Sequence, residues 1–217
     1  MTNKPKIGET PPAQRDLDNM MVVVDILVEG TDEELERLRL HIENRTKQPF
    51  PKERLLMYRQ FAQQRSRQIA ESDADCKLRE ATNPKATALE YEVGAYKERM
   101  EGPVREAVFD LRSKGYASFE SGFSGMDRQR ISFEPSIPEL ASHVFSEATH
   151  AEAERLGVEL GVSQEHVGFR MSRPLSDEEM TGMWNLIVRE LPPVSPPQPL
   201  TTVKTAQTFR AKQDASR

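Results

Sequence analysis

Residues 116–134 read YASFESGFSGMDRQRISFE, and the fold class turns on them. Upstream, apolar residues recur at the three-to-four spacing of a helix; here they begin to alternate. Tyr116 to Ser121 alternates, Gly122 and Gly125 interrupt, and Gln129 to Glu134 alternates again with Ile131 and Phe133 on one face. Two such runs around a glycine-containing loop predict a β-hairpin.

Downstream, Ser136 and Glu139 have capping-box spacing and predict a helix carrying Leu140, Val144, Ala148 and Ala151 on one side, stopped by Gly157. Val167, Phe169 and Met171 alternate and predict a third strand. Ser176 and Glu179 form another capping box, followed by Met180, Met183, Trp184, Ile187 and Leu191 at helical spacing and then by Pro192. Immediately upstream, Gly102-Pro103 opens a helix with the stripe Val104, Ala107, Val108 and Leu111, and Gly115 suits its left-handed end. Residues 103–191 are therefore expected to form a small α-β-β-α-β-α domain, with a three-stranded sheet covered by helices on one face.

Residues 16–101 read as helical, with a strand as the alternative for the β-branched run Val22–Val24. Asp18 is placed to cap a first helix bearing Met20, Val23, Val24 and Leu27, with Met21, Val22, Ile26 and Val28 on its other faces. So apolar a helix requires burial nearly all round or a partner. Gly30 stops it, Thr31 and Glu34 cap a second helix with Leu35, Leu38 and Ile42, and Pro49 and Pro51 break the chain. The following stretch is free of proline up to Pro84 and repeats Leu55, Ala62, Ile69 and Cys76 every seven residues. A long helix packed on one partner, in a hairpin or a coiled coil, fits this thin seam. A further helix is expected at Leu89, Val93, Tyr96 and Met100. The fold class is thus α+β, with a helical N-terminal half. Residues 1–15 and the Pro-rich 192–217 are expected to be disordered, and the tail's P-x-x-P spacing reads first as a spacer, with a docking segment as the alternative.

Composition narrows the function classes. The chain has 217 residues, 36% apolar and 30% charged. Its longest apolar run is Met20 to Val24, far short of the roughly 20 residues of a membrane span. Residues 1–15 lack the apolar core of a secretory signal. One cysteine, Cys76, forms no intrachain disulfide and no cysteine-cluster zinc site. The expected setting is the reducing cytoplasm. The net charge of −5 is divided unevenly, with basic ends around an acidic body. That argues against a broadly basic nucleic-acid binder. The local cluster Lys52, Arg54, Arg59, Arg65 and Arg67 and the basic ends leave weak nucleic-acid association as the least favoured reading, without interleaved aromatics for stacking.

Two groups of residues have chemical potential. Ser121, Gly122, Phe123, Ser124 and Gly125 at the hairpin can present backbone N–H groups to an anion, and Arg130 and Arg170 are placed to share the open face of the sheet beside them. The loop is not a nucleophile elbow, because Met126 stands where the last glycine would be, and it has no P-loop lysine. Ordinary turn geometry and ion pairing of the arginines, with Glu134 or Asp127, are the bland counterparts. The second group is the stripe Glu139, His143, Glu147, His150 and Glu154 on the expected helix. Glu147 and His150 have the Glu-x-x-His spacing of carboxylate-bridged metal sites, but the motif occurs once where such sites need it twice, and a solvated polar face is the preferred account of the stripe. His166 and Arg170 alternate with Val167 and Phe169 and point away from the core. Trp184 is expected in it. No cofactor is implied. The leading expectation is a non-catalytic interaction or structural module associating through its N-terminal helices, with an anion- or small-molecule-binding domain as the alternative.

Overall fold

The computed structural model describes residues 17, 19–85, 98 and 100–194. The expected helix at 89–100 lies almost entirely outside the described residues, and the disorder expected at residues 1–15 and in the tail from 195 lies outside them altogether.

Three helices open the chain: α1 (Met20–Glu29), α2 (Asp32–Thr46) and α3 (Lys52–Thr82). Asn19 caps α1, its side chain accepting from Met21 N at 3.0 Å. The buried edge of α1 is Ile26 and Leu27, with Val22 and Val23 partly covered, while Met20 is 70% exposed. The expected stripe through Met20 is therefore rotated by about one residue. The Thr31/Glu34 box forms on both arms. Across α3, Arg59 Nη2 and Gln63 Nε2 reach the carbonyls of Gly30 and Val28 at 3.0 and 3.1 Å, satisfying acceptors at the end of α1. The seven-residue seam of α3 divides. Leu55 and Ala62 are buried against α1 and α2, whereas Ile69 is 43% exposed. The first half of the seam is thus covered within the chain.

The second half alternates helix and sheet: α4 (Gly102–Ser113), β1 (Ser118–Phe123), β2 (Arg128–Phe133), a 3-10 turn (Pro138–Ser142), α5 (Glu147–Leu156), β3 (Val158–Val162), β4 (His166–Met171) and α6 (Asp177–Glu190). The sheet has four strands, all antiparallel, in the order β1-β2-β4-β3. β3 is the strand the three-stranded expectation omits. Val158, Leu160 and Val162 do alternate, but the run is short and Gly161 weakens its β signal.

The helix expected from Ser136 to Gly157 breaks in two. Ser146 caps α5, accepting from Thr149 N, and the carboxylate of Glu190 takes Ser146 N and Oγ at 2.7 and 2.5 Å. This start at residue 146 prevails over the Ser136/Glu139 spacing. Thr149, Ala153 and Leu156 consequently turn inward, and Val144 is left 80% exposed.

One cluster joins the four apolar residues of the α4 stripe, Ile131, Phe133, Val167, Phe169 and the whole α6 stripe from Met180 to Leu191. Trp184 is fully buried there, its ring centroid 5.2 Å from that of Phe169. Lys114 Nζ donates to the carbonyls of Val188 and Leu191, closing the last turn of α6. α3 links the two clusters, contributing Leu55 and Ala62 to one and Phe61 to the other. With helices packed on its inner side, the sheet turns the other face to solvent. Among the described residues no helix is long and apolar enough to cross a membrane.

Candidate functional site

Strand register decides which expected site residues meet. Arg130 pairs with Gly168, Gly168 with Gly161, and Arg128 with Arg170, which in turn pairs with Glu159. Residues two apart share a face. Arg128, Arg130, His166, Gly168, Arg170, Glu159 and Gly161 therefore occupy the open face, opposite Gln129, Ile131, Val167 and Phe169. Across two adjacent strand pairs the row through Arg130 has only glycines beside it, and a trough results. Its volume is about 330 Å³, and Ser124, Arg128, Arg130, His166 and Arg170 line it together with the glycines.

The charges in the trough are held in place at its rim. Arg130 Nη2 lies 2.8 Å from Glu120 Oε2, and Arg170 Nε lies 2.8 Å from Asp127 Oδ2. Asp127 is one of the two ordinary partners expected for these arginines; Glu134 is not used. The Nε of Arg130 is buried without a partner. Arg128 is exposed on β2. His166 Nδ1 sits 3.0 Å from Ser163 Oγ. Burial, reinforced by the positive charge of Arg130 and opposed by Glu165, holds the His166 imidazole below its ordinary value. Burial and the neighbouring Arg130 both favour the neutral ring.

The Ser121–Gly125 segment is not the exposed loop expected. β1 continues through Phe123, which is 8% exposed and part of the core. The turn is Ser124–Asp127, closed by Ser124 N to the carbonyl of Arg128 at 2.9 Å. Gly122 and Gly125 do have positive φ, at 103° and 85°. A backbone N–H here does meet an anion, but it belongs to the protein: Phe123 N donates to Glu101 Oε2 at 3.0 Å. A Cβ at position 122 would lie 2.4 Å from the same oxygen. Burial raises the Glu101 carboxyl above the usual range, against the opposing pull of Phe123 N–H, the Gln129 amide and Arg65. Ser124 alone of the five residues reaches the trough.

The metal-ligand stripe is not assembled as one helix face. Glu139 belongs to the 3-10 turn, His143 ends it, and Glu147 and His150 begin α5. His143 and His150 both pack edge-on against Phe145, with centroids 4.9 and 6.4 Å away. Among the described residues no group of three or more His, Cys, Asp and Glu side chains is placed to hold a metal ion. The basic cluster of α3 is similarly dispersed. Arg59 reaches Gly30 and Asp32, Arg67 pairs with Asp177, and Arg54 donates to the Tyr58 hydroxyl.

The residues that sequence reasoning missed are Arg128, Glu159, Gly161 and Gly168. Period two from Arg130 would have found Arg128, and the period-two run in β3 would have found Glu159 and Gly161. No family model, curated protein or solved structure matches this chain.

Proposed function

We propose that this protein is a binding module that takes a phosphate-bearing ligand on the open face of its sheet. One observation carries the reading: Arg128, Arg130 and Arg170 line a single trough with His166, floored by Gly161 and Gly168. A guanidinium presents a planar fork of donors that matches phosphate oxygens two at a time, and charge-assisted bonds of this kind are the strong ones. Glu120 and Asp127 each hold one arginine from the side, which limits the rotamer freedom lost on binding. Gly161 leaves open space that a side chain would fill, and Gly168 admits the close approach of the β2 backbone beside it. The trough lies within the size range of small-ligand sites.

Calorimetry with pyrophosphate tests this. Wild-type protein is expected to bind, and Arg128→Ala to bind about tenfold more weakly, the worth of one charge-assisted contact. Gly161→Leu is expected to abolish binding. A Cβ at position 161 meets nothing closer than the Gly168 carbonyl oxygen at 4.0 Å, so the leucine enters the trough without disturbing the strands. Absence of binding, or equal affinity in all three proteins, contradicts the proposal.

A further inference from the structure

We infer that the ligand is a nucleotide, its phosphate in the arginine trough and its base in a second cavity that shares Arg170 and Glu159 with the first. The inference rests on the phosphate reading above and adds the class of molecule. The second cavity, about 490 Å³, lies between the first turns of α3 and the ends of β3 and β4, and its walls include Met57, Tyr58, Glu154 and Val158. Arg170 and Glu159 are cross-strand partners, so one registered pair forms the boundary between the two spaces. The trough's centre, at the Gly161/Gly168 pair, is two strand residues from that boundary, or about 7 Å along the sheet. That is the reach of a ribose between phosphate and base.

The chemistry of the two cavities differs in the way a nucleotide requires. The first is dominated by guanidinium groups. The second adds a half-buried phenol ring, a thioether and the carboxylates of Asp127 and Glu154 to the shared Glu159, beside Arg54 and the shared Arg170. The Tyr58 ring carries the Arg54 guanidinium 5.6 Å from its centroid, and Arg170 lines the same cavity. An aromatic ring beside an arginine is a stacking platform that accepts any base. Neither Glu154 nor Glu159 accepts a side-chain hydrogen bond among the described residues, and both border the cavity. Carboxylates only accept, so they select a base edge rich in N–H donors. Guanine presents two such donors, N1–H and the N2 amine, side by side.

The test compares guanosine 5′-monophosphate with ribose 5-phosphate, by calorimetry on the full chain. Wild-type protein is expected to bind the nucleotide at least about tenfold more tightly, the worth of one stacked base. Tyr58→Leu is expected to bring the two ligands to equal affinity while ribose 5-phosphate binding stays unchanged. Glu154→Gln/Glu159→Gln, at two exposed positions that leave the core untouched, is expected to reduce the preference without abolishing ribose 5-phosphate binding. Equal affinity for both ligands in wild type overturns the inference and leaves the phosphate site standing. A nucleotide preference that survives both sets of substitutions overturns the assignment of the second cavity. Failure of both ligands to bind overturns the phosphate reading and this inference together.

Discussion

Gly168→Ala is expected to destabilise the protein by about 3 kcal/mol, a large value for the addition of one methyl group. A Cβ at position 168 would stand 2.1 Å from the Gln129 carbonyl oxygen and 2.9 Å from Arg130 Cα. Both are backbone atoms of the neighbouring strand, so no side-chain rotation relieves the contact. β2 and β4 must separate at the Arg130/Gly168 pair, in the middle of the sheet. Gly161→Ala is the internal control, since the same methyl group there meets only the Gly168 oxygen at 4.0 Å. Its effect is expected to stay within about 0.5 kcal/mol. Urea unfolding followed by circular dichroism measures both. Similar midpoints for the two variants would mean that the strands are not as close as the register requires.

Trp184→Ala is expected to cost about 4 kcal/mol, in the range for deleting a buried aromatic side chain. Trp184 is fully buried, stacks at an angle on Phe169, and donates from Nε1 to Gln129 Oε1 at 3.4 Å. Gln129 is itself buried, and its amide reaches Glu101 Oε2 at 3.4 Å. Removing the indole therefore leaves both a cavity and a buried acceptor without its donor. Trp184→Phe keeps most of the volume and loses the donor, so its cost is expected to fall well below that of alanine. Trp184 is the single tryptophan of the chain. Its fluorescence in wild-type protein thus reports the α6–sheet interface alone, and emission is expected to move to longer wavelength in the same urea transition that circular dichroism records.

The parts of the fold that local chemistry dictates were legible in the sequence. The Thr31/Glu34 and Ser176/Glu179 boxes, the Gly115 and Gly157 stops and the α6 stripe each signal themselves within a dozen residues, and all appear in the structure. What escaped depends on partners distant in sequence. α5 starts at Ser146 because Glu190, 44 residues away, binds there. β3 gains its identity by pairing with β4, which a five-residue run around Gly161 does not announce. The site divides in the same manner. Alternation was enough to place Arg130, His166 and Arg170 on one face. The glycine-serine segment misled because Glu101, twenty-two residues earlier than Phe123, takes up the N–H that the segment would have offered a ligand.

The central claim, that the sheet's open face is an anion site, is most directly read at His166. The protein has four histidines, and His166→Gln identifies the resonance by its loss. Burial and the charge of Arg130 place the imidazole below the ordinary 6.5 in the free protein. The unfolded chain therefore binds this proton more readily, and His166 reduces stability as pH falls from 6.5 through its folded midpoint. An anion among the arginines offsets the charge of Arg130 and favours the charged ring. By linkage, the contribution of His166 to anion affinity then grows as pH falls. An NMR titration is expected to give a midpoint below 6.5 for free protein, and a clearly higher one in saturating pyrophosphate. A midpoint that pyrophosphate leaves unmoved would contradict the account.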